Sequence, residues 1–298
     1  MTLRKLTLTL SLACLAALPL AAPARSCTLW AVAGQAAGGG ALIAKNRDWV
    51  PDHVQVFKVI EPKTGHKYFG LFALGGKNPR LTAGVNDAGL AVFSATASSI
   101  PKGERGENRI SGLMDKLLAS CDGVDALLAK KDLFALHSAC FYLVADARKA
   151  ARIEVGPSGE VSVTELREGV VAQTNHFLEP SLSWANKRIG VSSQARYDRI
   201  RALLDAKPGP FSFEDFLAMS GDTADGPDNS IWRTGSAPGK PRSLAAWVAR
   251  LPATGAPRLH VRLANPGEPE REATLVLDRA FWNNRGYVWP PASSGPLR

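Results

Sequence analysis

From residue 27 onward the apolar positions change period more than once. CTLWAVAGQ (27–35) is a strand-like apolar run, the segment 34–40 holds four glycines and reads as a turn, and ALIAKNRDW (41–49) is strand-like again, so the three predict a hairpin. HVQVFKVIEP and KYFGLFALG predict two further strands, and LTAGVNDAGLAVFSATAS places an Asn-Asp-Ala-Gly turn between two short ones. From Arg109 the spacing becomes helical, in ISGLMDKLLAS and again in VDALLAKKDLFAL. Strands return in ACFYLVADA, in the hairpin ARIEVGPSGEVSVTEL and in VVAQTNHF, which runs into a polar end. SSQARYDRIRALLDA predicts an amphipathic helix with Ser192 or Ser193 as N-cap, FSFEDFLAMSG a short helix, and HVRLAN and ATLVLD the closing strands. The tail PPASSGPLR is expected to be loose. Strands and helices in blocks, rather than in strict alternation, predict an α+β layered architecture. No repeat or long linker interrupts residues 27–298, which are expected to form a single domain.

Residues 1–26 follow a different pattern. Arg4 and Lys5 precede the apolar run LTLTLSLACLAALPLAA, and Ala24-Arg25-Ser26 puts small residues at the third and first positions before Cys27. That is the layout of a cleaved secretory signal peptide. A membrane anchor is the competing reading, but the run from Leu6 to Ala22 contains Thr, Ser and Pro19 and falls short of the ~20 apolar residues a span needs. Lipidation of Cys27 is a third reading, disfavoured because the lipoprotein pattern places Leu where this chain has Ala24. The expectation is a periplasmic or secreted protein with no transmembrane segment once residues 1–26 are removed.

Composition narrows the function classes. Hydrophobic residues at 45% and charged residues at 21% suit a globular chain with a normal core. The formal charge is +9; losing Arg4, Lys5 and Arg25 with the signal leaves +6. The basic residues are scattered and not interleaved with aromatics, so nucleic acid is not an expected partner. The five histidines form no HExxH or H-x₃₋₅-H pair, no CxxC occurs, and the GGG at 38–40 lacks a GxGxxG or GK[ST] context. No metal or other cofactor is therefore expected. Cys14 leaves with the signal, and three thiols in an oxidising compartment leave one unpaired. Arithmetic makes Cys121 and Cys140 the candidate disulfide and Cys27 the free thiol.

Cleavage after Ser26 would give Cys27 a free α-amine, with an ordinary pKa of about 7.7–8.0 against about 8.5 for a thiol. The amine can then act as general base toward its own side chain, with no histidine required. A hairpin centred between Ala37 and Gly38 would set Cys27 opposite Asp48, which could hold the amine. Lys45 and Arg47 would share one strand face, where they could lower the thiol pKa or attract an anion, and Asn46 and Asp48 the other. A papain-like pairing of Cys140 with His176 is the other thiol chemistry the sequence permits.

A cysteine at the mature N-terminus followed by Thr28 and, about twenty residues on, by N-x-D-W (46–49) resembles the N-terminal-nucleophile (Ntn) hydrolases of the choloylglycine hydrolase and penicillin V acylase group. It also resembles the related acyl-coenzyme A:6-aminopenicillanate acyltransferases. AGVNDAGLAV is similar to their N-E-x-G-L segment, TNHF (174–177) to the acyltransferase branch, and SSQARYDRI to the S-x-x-R-F/Y segment of both. The resemblance implies a four-layer αββα sandwich, two stacked antiparallel sheets flanked by helices. It implies Cys27 as nucleophile and base, Asp48 positioning the amine, the Asn175 amide on the oxyanion, Arg196 in the charge network, and a backbone N–H near Thr96 as second oxyanion donor. Lys45 stands where choloylglycine hydrolases usually carry Arg, and a lysine cannot make the planar bidentate fork.

The expected function is an exported acylase cleaving a linear, non-peptide C–N amide bond of a small-molecule acyl-amide through a thioester. The alternatives are an acyltransferase of the penicillin type and, in another class, a lipid-anchored envelope binding protein acylated at Cys27. Whether the protein forms a homo-oligomer is left open.

Overall fold

The computed structural model describes residues 26–75 and 79–290. The expected signal segment, apart from Ser26, and the tail after Pro290 lie outside the described residues. The strands are β1 (Ser26–Ala33), β2 (Ala41–Trp49), β3 (Gln55–Ile60), β4 (Tyr68–Ala73), β5 (Arg80–Asn86), β6 (Ala91–Thr96), β7 (Cys140–Ala145), β8 (Ala150–Val155), β9 (Val161–Leu166), β10 (Gly169–Gln173), β11 (Arg242–Leu251), β12 (Arg258–Leu263), β13 (Arg271–Val276) and β14 (Val288–Trp289). The main helices are α1 (Leu113–Ser120), α2 (Val124–Leu128), α3 (Val191–Asp205) and α4 (Phe213–Ser220).

The strands form two antiparallel sheets, ordered β10-β1-β2-β11-β12-β13 and β14-β3-β4-β5-β6-β7-β8-β9. Their inner faces enclose one apolar core, in which Trp247 of β11 meets Phe57, Phe69 and Phe93 of the larger sheet at ring-centroid distances of 5.3, 5.7 and 5.6 Å. The outer face of the larger sheet packs on α1 and α2 through Leu113, Leu117, Val124 and Leu127. The outer face of the smaller sheet packs on α3 and α4 through Ile200, Leu204, Phe213 and Phe216. Helix, sheet, sheet and helix therefore stack in four layers, as the resemblance implied. The central strands β1, β2 and β7 bury both faces, one against the other sheet and one against helices, which explains their near-continuous apolar runs.

Three local expectations change. β11, a strand the apolar pattern did not predict, lies beside β2 at the centre of the smaller sheet. Its alanine-rich run is buried on both faces and so has no period of two to read. VDALLAKKDLFAL is not one helix: α2 stops at Leu128 and a separate 3₁₀ turn covers Lys131–Leu136. The N-cap of α3 is Gly190, not Ser192 or Ser193. Those two hydroxyls bond elsewhere, Ser192 to the Asp228 carbonyl and Ser193 as acceptor from the Asn175 backbone N–H.

The β1–β2 hairpin pairs Ser26 with Asp48 and Cys27 with Arg47. This corrects the expected register by one residue. The loop contains an odd number of residues, 34–40 between the pair Ala33 and Ala41, so its centre falls on Ala37 itself. Gly34, Gly38, Gly39 and Gly40 all have positive φ there, and a Cβ on Gly40 would lie 2.3 Å from the Leu251 carbonyl oxygen.

Candidate active site

The register places Cys27 and Arg47 side by side on the inner face of the smaller sheet, with Lys45 one step along it. Asp48 and Asn46 face the helices. The Cys27, Lys45, Arg47 and Thr96 side of the site lines a cavity of about 820 Å³ that reaches from β1 and β2 across to β5, β6 and β7. That volume suits a small organic molecule. Asp48, Asn175 and Arg196 form a buried polar layer behind Cys27. The structure thus gathers the other five sequence-predicted residues around Cys27 but divides them between two layers.

The rear layer is built on Arg196, which is fully buried. Its Nη1 donates to the Cys27 carbonyl (2.8 Å) and Thr28 Oγ1 (2.7 Å), and its Nη2 to Asn175 Oδ1 (2.9 Å). Asn175 Oδ1 also accepts the Cys27 backbone N–H at 3.0 Å, and Asn175 Nδ2 donates to the Thr96 carbonyl at 2.9 Å. The acceptor for the Cys27 nitrogen is therefore Asn175 rather than Asp48. Thr96, expected to lend a backbone N–H, contributes its carbonyl.

Asp48 lies between two arginines, 3.9 Å from Arg196 Nε and 3.8 Å from Arg233 Nη1, and accepts from Ser243 Oγ at 2.7 Å. Its second oxygen, Oδ2, is buried without a hydrogen-bond partner. Burial pushes the Asp48 carboxyl up, against the pull of Arg233, Arg196 and Ser243. Burial pulls Arg196 down to about 10, with Asp48 opposing. Arg233 and Ser243 carry no motif and lie on unpredicted segments, and only their contact with Asp48 reveals them.

Lys45 bridges the two sheets. The β5–β6 ladder runs only from Val85/Ala91 to Ala83/Phe93, and the β4–β5 register shifts so that Thr82 is skipped. A bulge leaves a residue outside the ladder. Lys45 Nζ takes the carbonyls so freed, Thr82 at 2.6 Å and Ser94 at 2.7 Å. Burial lowers the Lys45 pKa to about 8, with the Cys27 thiol raising it in opposition. Two residues on, the Arg47 guanidinium lines the cavity with Cys27, which favours its charged form against burial, and it stacks on Trp49 at 4.1 Å.

Cys121 and Cys140 are both free, which corrects the expected disulfide. Cys121 is buried in the outer core beneath α1, whereas Cys140 lines the cavity and donates to the Ala95 carbonyl at 3.2 Å. Burial pushes the Cys140 thiol up to about 11. His176 is held instead by Thr174 and Ser193 and packs edge-on against Tyr197, with burial pulling it down to about 4. The structure does not form the Cys140–His176 pair.

Comparison with known proteins adds to this geometry. The sequence profile of the acyl-coenzyme A:6-aminopenicillanic acid acyl-transferase family matches residues 36–268, beginning after Cys27. No curated protein matches. Two solved structures of conjugated bile acid hydrolase variants from Clostridium perfringens superpose with TM-scores of 0.52 and 0.52 at 12% and 13% identity, covering 83% and 84% of this chain and 92% and 92% of theirs. At that identity the likeness is one of fold. The chain belongs to the acyl-coenzyme A:6-aminopenicillanic acid acyl-transferase family, enzymes of the Ntn hydrolase and acyltransferase kind, and carries the stacked two-sheet Ntn fold.

Proposed function

We propose that the chain is an exported N-terminal-cysteine amidohydrolase that cleaves a linear, non-peptide C–N amide bond through a thioester acyl-enzyme. The observation that carries this reading is the environment of the Cys27 nitrogen. It is fixed by Asn175 Oδ1 at 3.0 Å while the thiol of the same residue meets Arg47 at the cavity wall. Removal of residues 1–26 would turn that nitrogen into an amine. Asp48, with its unpartnered oxygen, stands across the hairpin from the bond that would be cut. The amine takes the thiol proton, and the thiolate beside Arg47 and Lys45 attacks the amide carbonyl. Asn175 Nδ2 has a second N–H beyond the one given to Thr96, and this is our candidate oxyanion donor. The Cys27 ammonium protonates the leaving amine, and water then hydrolyses the thioester.

Acyl transfer to a second amine is the alternative that the matched family's description supports. Export argues for hydrolysis, because coenzyme A thioesters are scarce outside the cytoplasm. Lipidation of Cys27 fits poorly, because the residue is 3% exposed and its side chain points between the sheets.

Intact mass and a screen of amides by released amine test this reading. A mature chain beginning at Cys27 that turns over an amide supports it, and a diacylglycerol adduct on Cys27 eliminates it. Retaining Ser26 is expected to reduce turnover at least a hundredfold, because a peptide nitrogen cannot act as the base. The two forms should be compared in single-turnover assays.

The pH dependence follows from Lys45. Its ammonium is present below about 8 and is lost above, so turnover is expected to fall on the alkaline side as the thiolate loses a neighbouring cation. In Lys45→Arg the guanidinium stays charged and the alkaline limb should move up by a unit or more. An unmoved limb in the kcat/KM profile would assign that limb to another group.

A further inference from the structure

We infer that Trp184, Ile189 and Val191, flanked by Lys187 and Arg188, form a docking surface for an anionic phospholipid bilayer. The inference is independent of the acylase reading. Single apolar side chains on a surface are ordinary, but a group of them marks a contact. Among the described residues, three of the exposed large apolar side chains fall in one short segment, Trp184 at 54%, Ile189 at 42% and Val191 at 78%. The others, Leu74, Val276 and Val288, stand far apart in the chain. The Trp184 indole N–H has no hydrogen-bond partner among the described residues.

The backbone beneath the patch is fastened at several points. Leu182 and Ala185, on the 3₁₀ turn that carries Trp184 (Pro180–Ala185), are buried in the inter-sheet core. Asn186 accepts the Phe177 N–H through Oδ1 and donates to the Phe177 carbonyl through Nδ2, both at 2.9 Å. The Lys187 and Arg188 N–H groups both donate to the Ser99 carbonyl at 3.0 Å. The exposed side chains are thus displayed from a preformed support, which keeps the ordering cost of docking low. Ser99 in turn donates its N–H to the Asn175 carbonyl at 3.1 Å, and its loop runs on to Lys102 and Asn108 in the cavity wall. One loop therefore supports the patch and lines the cavity of Cys27.

Charge selects the occupant. Residues 181–191 contain Lys187 and Arg188 and no acid. Both are exposed, and neither side chain has an ion pair or hydrogen bond among the described residues. The nearest acids along the chain are engaged, Glu179 at 3.8 Å from Arg152 and Asp198 as acceptor from Gln194 at 2.8 Å. Asp228, whose carbonyl accepts from Ser192, gives its carboxylate to the Ser236 N–H and hydroxyl. The supporting loop (101–109) carries three basic residues against two acids, so it does not cancel the charge. A second copy of this chain fits poorly, because a two-fold contact would set Lys187 and Arg188 against the same pair. An anionic bilayer offers phosphates to the two cations and an interfacial layer that accepts an indole with its N–H toward water. The formal charge of +9, or +6 without residues 1–26, draws the whole molecule to such a surface.

The test is vesicle flotation of the chain lacking residues 1–26, so that the apolar run Leu6–Ala22 takes no part. Vesicles of phosphatidylcholine alone are compared with vesicles containing about one third phosphatidylglycerol. Partitioning is expected to favour the anionic vesicles by about tenfold or more. Trp184→Ser, and separately Lys187→Gln with Arg188→Gln, should each lower partitioning into anionic vesicles by about fivefold or more, with thermal unfolding unchanged. Lys63→Gln with Lys116→Gln removes two exposed charges beside α1, in the opposite outer layer, and should stay within about twofold of wild type. Equal partitioning into both vesicle types overturns the inference, as does no binding at millimolar lipid or an equal loss from the two charge-pair variants. A solution dimer that Trp184→Ser dissociates also overturns it, and gives the surface to a second copy. Flotation with anionic vesicles without cleavage of any amide refutes the acylase reading alone, and amide cleavage without flotation refutes the docking surface alone.

Discussion

Replacing Cys27 with serine is expected to leave the fold intact and lower amide turnover by about a thousandfold or more. The substitution exchanges sulfur for oxygen at a buried position, so little packing is lost. The chemistry changes far more, because a hydroxyl is much less acidic than a thiol. An α-amine, whose ordinary pKa is about 8, cannot deprotonate a hydroxyl to a useful extent. Arg47 and Lys45 are arranged to favour a thiolate, and they have no comparable anion to favour in the serine form. Turnover should be measured with thermal unfolding on the same preparation. Activity within tenfold of wild type would move the nucleophile elsewhere. Cys140, the other thiol in the cavity, is a weak candidate, because burial pushes it up to about 11 and its proton is given to the Ala95 carbonyl. Cys140→Ala should therefore retain most of the activity.

The second large effect is expected on stability. Asp48→Asn should lower the free energy of unfolding by about 3–5 kcal/mol, the usual consequence of removing one partner from a buried ionic cluster. Asp48 is fully buried and balances Arg196 and Arg233 at 3.9 and 3.8 Å. Asparagine retains an acceptor for Ser243 but leaves two buried guanidinium groups without a counter-charge. Urea denaturation at neutral pH measures the loss. A change below about 1 kcal/mol would mean that Asp48 is already protonated in the fold, the direction in which burial alone pushes it. Restoring charge balance with Asp48→Asn plus Arg233→Met should recover part of the loss.

Legibility differed between the two layers of the site. Lys45, Arg47 and Asp48 were readable because they lie on one strand a fixed distance from Cys27 in a hairpin, so alternation assigns faces and register assigns neighbours. The register was read one residue out because a glycine-rich loop hides its own centre. Asn175 and Arg196 came through a resemblance of motifs, since nothing local to TNHF or SSQARYDRI brings those residues to residue 27. Arg233, Ser243 and the strand bearing Ser243 were not visible at all. β11 is apolar on both faces, and the contact between Ser243 and Asp48 spans 195 residues. The proposed disulfide failed for the same reason: counting thiols carries no information about where their Cβ atoms point.

By itself, the sequence determined the kind of layers, the first hairpin and the candidate chemistry of a cysteine that follows a signal-like segment. Periodicity, turn glycines and processing signals all act over a few residues. The tertiary structure alone decided that the Cys27 nitrogen bonds Asn175, that Lys45 caps the opened β5–β6 ladder, and that Arg47 supplies the guanidinium beside the thiol. Each of these depends on burial and on which donor or acceptor another strand or helix brings alongside. Those quantities exist only once both sheets have stacked.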